Sequence, residues 1–159
     1  MPITNLSLPP GTLVQVVTAA TTVEGSGSTT IPIDASAPQI TEGNEIVNVS
    51  ISPKNVSNRL HILFTGVLAG SVAQTGSIAL FQDSGPSAIL AASLPFEAAK
   101  TNIAVLSHNV LASQTDSIQF RVFAGLSTNT VYWNQDIYSA KFGTAGDAGC
   151  RLTVMEYVP

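Results

Sequence analysis

Val47-Asn48-Val49-Ser50-Ile51-Ser52 alternates aliphatic and polar residues without a break. A period of two puts Val47, Val49 and Ile51 on one face of a strand and Asn48, Ser50 and Ser52 on the other. Pro53-Lys54-Asn55 then turns the chain, and Leu60, Ile62 and Phe64 form the next inward set, opposed by His61, Leu63 and Thr65. Towards the N-terminus, Leu13-Val14-Gln15-Val16-Val17 is a strand rich in β-branched residues. Thr18 to Thr30 reads as a loop or edge strand, and Ile31-Pro32-Ile33-Asp34 as a short edge piece. Towards the C-terminus, Ile78 to Gln82 is a strand ended by the turn signal Asp83-Ser84-Gly85-Pro86. Ile103 to Val110 follows, and then Ser117 to Ala124, with Ile118, Phe120 and Val122 facing one way. Cys150 to Val158 closes the chain, placing Leu152 and Val154 against Thr153, Met155 and Tyr157. Ser87 to Ala99 carries the only helical character, and Pro86 and Pro95 limit any helix there to one short turn. Gly143 to Gly149 reads as a hairpin loop.

About eight short strands with little helix predict an all-β chain. The architecture expected is a single antiparallel β-sandwich, of jelly-roll or immunoglobulin-like type. Residues 1–10, ending in Pro9-Pro10, read as an extended N-terminal arm, and 11–159 as the sandwich domain.

Composition narrows the class further. The 159 residues include 6 Lys+Arg and 10 Asp+Glu, so 10 % are charged, against about 25 % in ordinary soluble domains. Ser, Thr, Asn, Gln and Gly replace the missing charges and solvate a surface without repelling copies of it. A net charge of -4 gives phosphate backbones nothing to attract them, which argues against nucleic acid as a partner. The uncharged run 60–82 is broken by His61, Gly66, Gly70, Gln74 and Gly76, and reads as two strands and a turn instead of a membrane span. The start of the chain has no basic segment followed by an apolar core, as a secretory signal requires.

Catalytic groups are sparse. Cys150, His61 and His108 stand alone, without the clustering a metal site needs, and Cys150 reads as a buried small apolar residue. Ser107 and His108 are neighbours on a strand and therefore point to opposite faces, which prevents a nucleophile–base pair. Asp34, Glu42, Asp83, Asp116 and Asp147 fall at turn-like places and read as solvated turn residues. No catalytic residue, metal site or cofactor is expected. One cluster is of interest: Tyr132, Trp133 and Asp136 with Tyr138, interleaved with Asn134 and Gln135. Aromatic faces beside amides and carboxylates suit a glycan platform, and they equally suit a core or a subunit interface.

Both ends of the chain carry a resemblance. Gly11-Thr12-Leu13-Val14-Gln15-Val16-Val17-Thr18-Ala19 is similar to the opening of a β-sandwich domain of phage tail-fibre and other virion surface proteins. Tyr138-Ser139-Ala140-Lys141-Phe142 and Leu152-Thr153-Val154-Met155-Glu156 resemble its closing pair of motifs, with Ile51-Ser52-Pro53-Lys54 and Leu80-Phe81-Gln82-Asp83 in the intervening places. Gln82 stands where that domain has Arg, and Asn58-Arg59-Leu60 replaces its Ser-Lys-Ile triplet. The resemblance implies a homotrimeric, non-enzymatic bacteriophage virion protein, made in the host cytoplasm and carried on the particle surface. With only ten residues ahead of the domain, a self-contained capsid decoration (cement) protein is expected. The major capsid protein or tail components would be its partners, and Leu6, Leu8, Pro9 and Pro10 would form a capsid-contacting arm. The alternative is a tail-fibre tip whose Tyr132, Trp133, Asp136 and Tyr138 contact a host-surface glycan.

Overall fold

The computed structural model describes residues 8–98, 100–135 and 149–159. Among the described residues ten strands follow one another: β1 (Leu13–Thr21), β2 (Gly25–Gly27), β3 (Asn44–Ile51), β4 (Arg59–Gly70), β5 (Gln74–Gln82), β6 (Leu90–Phe96), β7 (Thr101–Leu111), β8 (Ile118–Leu126), β9 (Val131–Trp133) and β10 (Cys150–Tyr157). The described residues contain no helix, and so none long and apolar enough to cross a membrane.

All strand pairing within the sheets is antiparallel. β7 pairs with β4 over Arg59–Ala69 and occupies one edge of that strand. β10, along Arg59–Thr65, and β9, along Leu68–Gly70, therefore share its other edge. The first sheet reads β1-β10-β4-β7, prolonged by β9 and β2, and the second reads β3-β8-β5-β6. The first strand lies beside the last, and the chain crosses repeatedly between the sheets. Of the two sandwich types expected, this is the jelly roll.

Inward positions are the ones the alternation predicts. Leu60, Ile62, Phe64, Leu80, Ile118, Phe120, Val122, Leu152 and Val154 are buried between the sheets with Val47, Val49 and Ile51. Each such side chain contributes roughly 1.5–3 kcal/mol on leaving water. Cys150 joins them, and its burial pushes the thiol up to about 11 against weaker opposing hydrogen bonds to the Val67 and Asn134 backbones. The 60–82 run is two strands and a turn, but the strands do not pair; the turn after Gly70 carries the chain from one sheet to the other.

Two local expectations need correction. The stretch with helical character, Ser87 to Ala99, contains strand β6, paired with β5 from Gln74↔Phe96 to Leu80↔Leu90. An edge strand accepts Pro95, whose missing N–H costs no ladder bond on the open side, and pairing with β5 overrides the alanines' helix preference. Ile31-Pro32-Ile33-Asp34 is not a strand. It belongs to the segment between β2 and β3, which lies over the outer face of the second sheet. There Ile31, fully buried, packs with Ala79, Phe81 and Phe123, joined by Ile40 and Ala88. The Phe81 and Phe123 rings meet edge to face at 5.0 Å. Backbone bonds Ile31 N–Leu126 O (3.0 Å), Ile40 N–Pro86 O (2.8 Å) and Gly43 N–Thr30 O (3.0 Å) fasten the segment. Gly43, at φ +76°, allows the return into β3, and a Cβ there would stand 2.8 Å from the Ile31 Cδ1.

A buried carboxylate ties the sheets together at one end. On β10 Glu156 follows Leu152 and Val154 inward and is fully buried. It accepts bonds from Asn58 Nδ2 (2.6 Å), Gln15 Nε2 (2.6 Å), Lys54 N (2.8 Å) and Asn55 N (3.3 Å). Burial opposes its ionisation most strongly of any single influence, yet the four donors together hold the carboxyl below its ordinary value. The connection between β3 and β4 is thereby pinned to β1 and β10.

Candidate functional site

Among the described residues, no segment covers the outer face of β1-β10-β4-β7 as one does over the second sheet. Its composition follows from the register. Val16, Met155, His61 and Asn109 form one row across the four strands. Thr18, Thr153, Leu63 and Ser107 form the next, then Ala20, Arg151, Thr65 and Val105. Leu13, Tyr157, Arg59 and Leu111 close one end, and Val67 faces Ile103 at the other.

The most exposed large apolar side chain on this face is Ile103 of β7, 79 % accessible; Leu13, Val16, Val105 and Leu111 are about half exposed. β7 is also an edge strand of 11 residues, with no Pro, no charge and no register shift against β4. Edge strands are normally blunted by charge, proline or a bulge, and β7 has none of these. Polar contacts on the face are mutual: Thr18 bonds Thr153 (3.1 Å), and the Asn109 Oδ1 lies 2.9 Å from the His61 Nδ1 and 3.4 Å from the Tyr157 hydroxyl, which donates to it. The fixed charges are Arg59 and Arg151, and among the described residues no carboxylate shares the face.

The residues singled out from sequence lie elsewhere. Tyr132 and Trp133 are on β9, both half-buried. Trp133 packs against the core and lies over Gly25, its cross-strand partner, where a Cβ would collide with the indole. Asn134, at φ 60°, donates its amide to Thr21 O (2.8 Å) and Val23 O (2.9 Å) and accepts from Cys150 N (2.8 Å). It fills the junction where β9 and β10 abut along β4. Gln135 donates to Gly25 O (3.1 Å). The amides of this cluster therefore serve the backbone. Asp136 and Tyr138 fall outside the described residues, as do Leu6, the Tyr138–Phe142 motif, Asp147 and nearly all of the 143–149 loop. Leu8, Pro9 and Pro10 are exposed, and Pro9 O accepts from Thr12 N (3.1 Å) and Oγ1 (2.7 Å).

The titratable residues singled out from sequence are not brought into pairs among the described residues. Ser107 is on the outer face and His108 points the opposite way, as the strand period requires. Asp83 receives Gln119 N of β8 (2.8 Å) and so extends the pairing beyond the end of β5, whereas Asp34 receives Ser36 N (2.7 Å) and serves its own turn. Among the described residues no three His, Cys, Asp or Glu side chains are grouped to hold a metal.

The face itself escaped the sequence reading. Its signal was present in Ile103-Ala104-Val105-Leu106, which is apolar on both sides of a strand and so demands a second cover beyond the core.

No family model matches the chain, and no curated protein does. Among solved structures, the chain is similar to the C-terminal domain of EclA, a sugar-binding protein, at 18 % identity and TM-score 0.41, over 74 % of this chain and 77 % of that one. It is similar to the infectious bursal disease virus Gx strain structure at 14 % identity and TM-score 0.41, over 98 % of this chain and 44 % of that one, so it spans under half that protein's length. It is also similar to the Tobacco streak virus coat protein at 12 % identity and TM-score 0.31, covering 98 % of this chain and 93 % of that one. These are likenesses of β-domain architecture.

Proposed function

We propose that the protein is a non-enzymatic structural protein of a bacteriophage particle, a trimeric capsid decoration (cement) subunit that stabilises the head by multivalent contact. The observation that carries this reading is the open outer face of β1-β10-β4-β7, bordered by the unprotected edge strand β7. An apolar and hydroxyl-rich sheet face suits permanent burial against protein, because few charges must be desolvated. The motif resemblance at both ends of the chain supports the virion setting, and the scarcity of grouped titratable residues among the described ones supports a role without catalysis. The competing reading, a fibre tip that binds host glycan, rests on Tyr132 and Trp133 alone among the described residues.

Particles lacking the protein are expected to lose their genome at lower temperature or milder osmotic shock than complete ones. Equal fragility would remove the cement role. Glycan binding that disappears in Trp133→Ala, with the assembly intact, would favour the fibre tip.

A further inference from the structure

We infer that the outer face of β1-β10-β4-β7 docks onto a carboxylate-bearing surface of a second copy of this chain, in a heterologous contact and not a twofold one. The inference rests on the assembly reading above and specifies its contact. Size is the first argument. Four strands about 4.8 Å apart and about nine residues long give a footprint of about 600 Å². That equals one partner's share of a small but stable interface, about 1,200 Å² in total.

Charge decides the occupant. The face holds Arg59 and Arg151 and, among the described residues, no carboxylate. Packing the face on itself about a twofold axis would bury the Arg59 and Arg151 of both copies with no carboxylate from either described face to pair with them. The rest of the described chain carries the opposite sign: Glu24, Asp34 and Asp116 are exposed at other places on the domain. A copy therefore offers, outside the face, the carboxylates that the face lacks. Contacts between two different patches close into rings or continue as filaments, and a ring of three satisfies the trimer proposed above. The edge of β7, with Ile103 and Val105 beside it, supplies the apolar part of the contact.

The test is sedimentation velocity and native mass of the full chain, wild type beside Val105→Asp and the double variant Arg59→Glu/Arg151→Glu. All three positions are exposed or half-exposed, and far-UV circular dichroism checks that each variant keeps its β-structure. The expected result is a wild-type assembly that weakens with added salt, and at least a tenfold loss of association in both variants. If the wild type assembles and both variants assemble equally well, the face is not the contact, and the assembly reading stands without it. If only Val105→Asp dissociates, the carboxylate-bearing partner surface is wrong. A wild-type dimer overturns the heterologous contact. A wild type that is monomeric at every concentration overturns the assembly reading itself, and this inference with it.

Discussion

The two sheets of the sandwich treat their outer faces differently. Over β3-β8-β5-β6 the chain lays its own segment, and Ile31 and Ile40 close an apolar layer with Phe81 and Phe123. Over β1-β10-β4-β7 no such layer stands among the described residues, although Ile103 and Val105 are as apolar as the residues covered on the far side. The same chemistry is therefore satisfied within the chain on one sheet and exposed on the other, where we propose that a second copy covers it. On that proposal the covered face contributes to folding and the open one to association. Substitutions on the two faces should separate those effects.

The largest loss is expected where the cover is removed. Ile31→Ala leaves a cavity under the segment and should cost about 3 kcal/mol of unfolding free energy in urea titration. A cost below half of that would mean the cover is not integral to the fold.

Next comes the clamp at the end of the open sheet. Glu156→Gln keeps the shape but replaces the charge-assisted acceptor for Lys54 N and Asn58 Nδ2, at a cost of about 2 kcal/mol. The carboxyl sits below its ordinary value of 4.5 when folded, so its ionised form stabilises the native state. That contribution is fully present above pH 4.5 and is lost as pH falls through the lower, folded value. Thermal unfolding of the wild type should show this acid-side decline, and the Gln variant should show less of it.

Phe81→Leu, which breaks the edge-to-face pair with Phe123 under the cover, should cost about 1 kcal/mol, measured the same way. The smallest effect belongs to the open face. Ile103→Ser should change the stability of the dissociated chain by no more than about 0.5 kcal/mol, while weakening association. A loss as large as that of Ile31→Ala would erase the distinction between the faces.

Much of this architecture was legible in the sequence because strand alternation is a local signal. Val47 to Ile51, Leu60 to Phe64 and Ile118 to Val122 each named their buried side correctly. The misreadings came from non-local choices. Nothing within Ser87–Ala99 announces that β5 will recruit Leu90–Phe96 as an edge strand. Ile31 and Ile33 look alike in sequence, yet only the fold buries Ile31 and leaves Ile33 half exposed. Glu156 was visible as the next inward position after Leu152 and Val154, but its four donors come from β1 and the β3–β4 connection, far away in the chain. The open face was the hardest to see. It exists only after β1, β10, β4 and β7 align, and its separate residues are ordinary ones.

The central claim is that the uncovered sheet face is the surface through which copies associate. Amide hydrogen exchange at dilute and high protein concentration tests it directly, comparing peptides from β7 and β1 with those from residues 31–40. Concentration should slow exchange in Ile103–Ser107 and around Val16–Ala20 and leave 31–40 unchanged. Unchanged exchange in β7 while the protein associates, or slowing confined to 31–40, would contradict the claim.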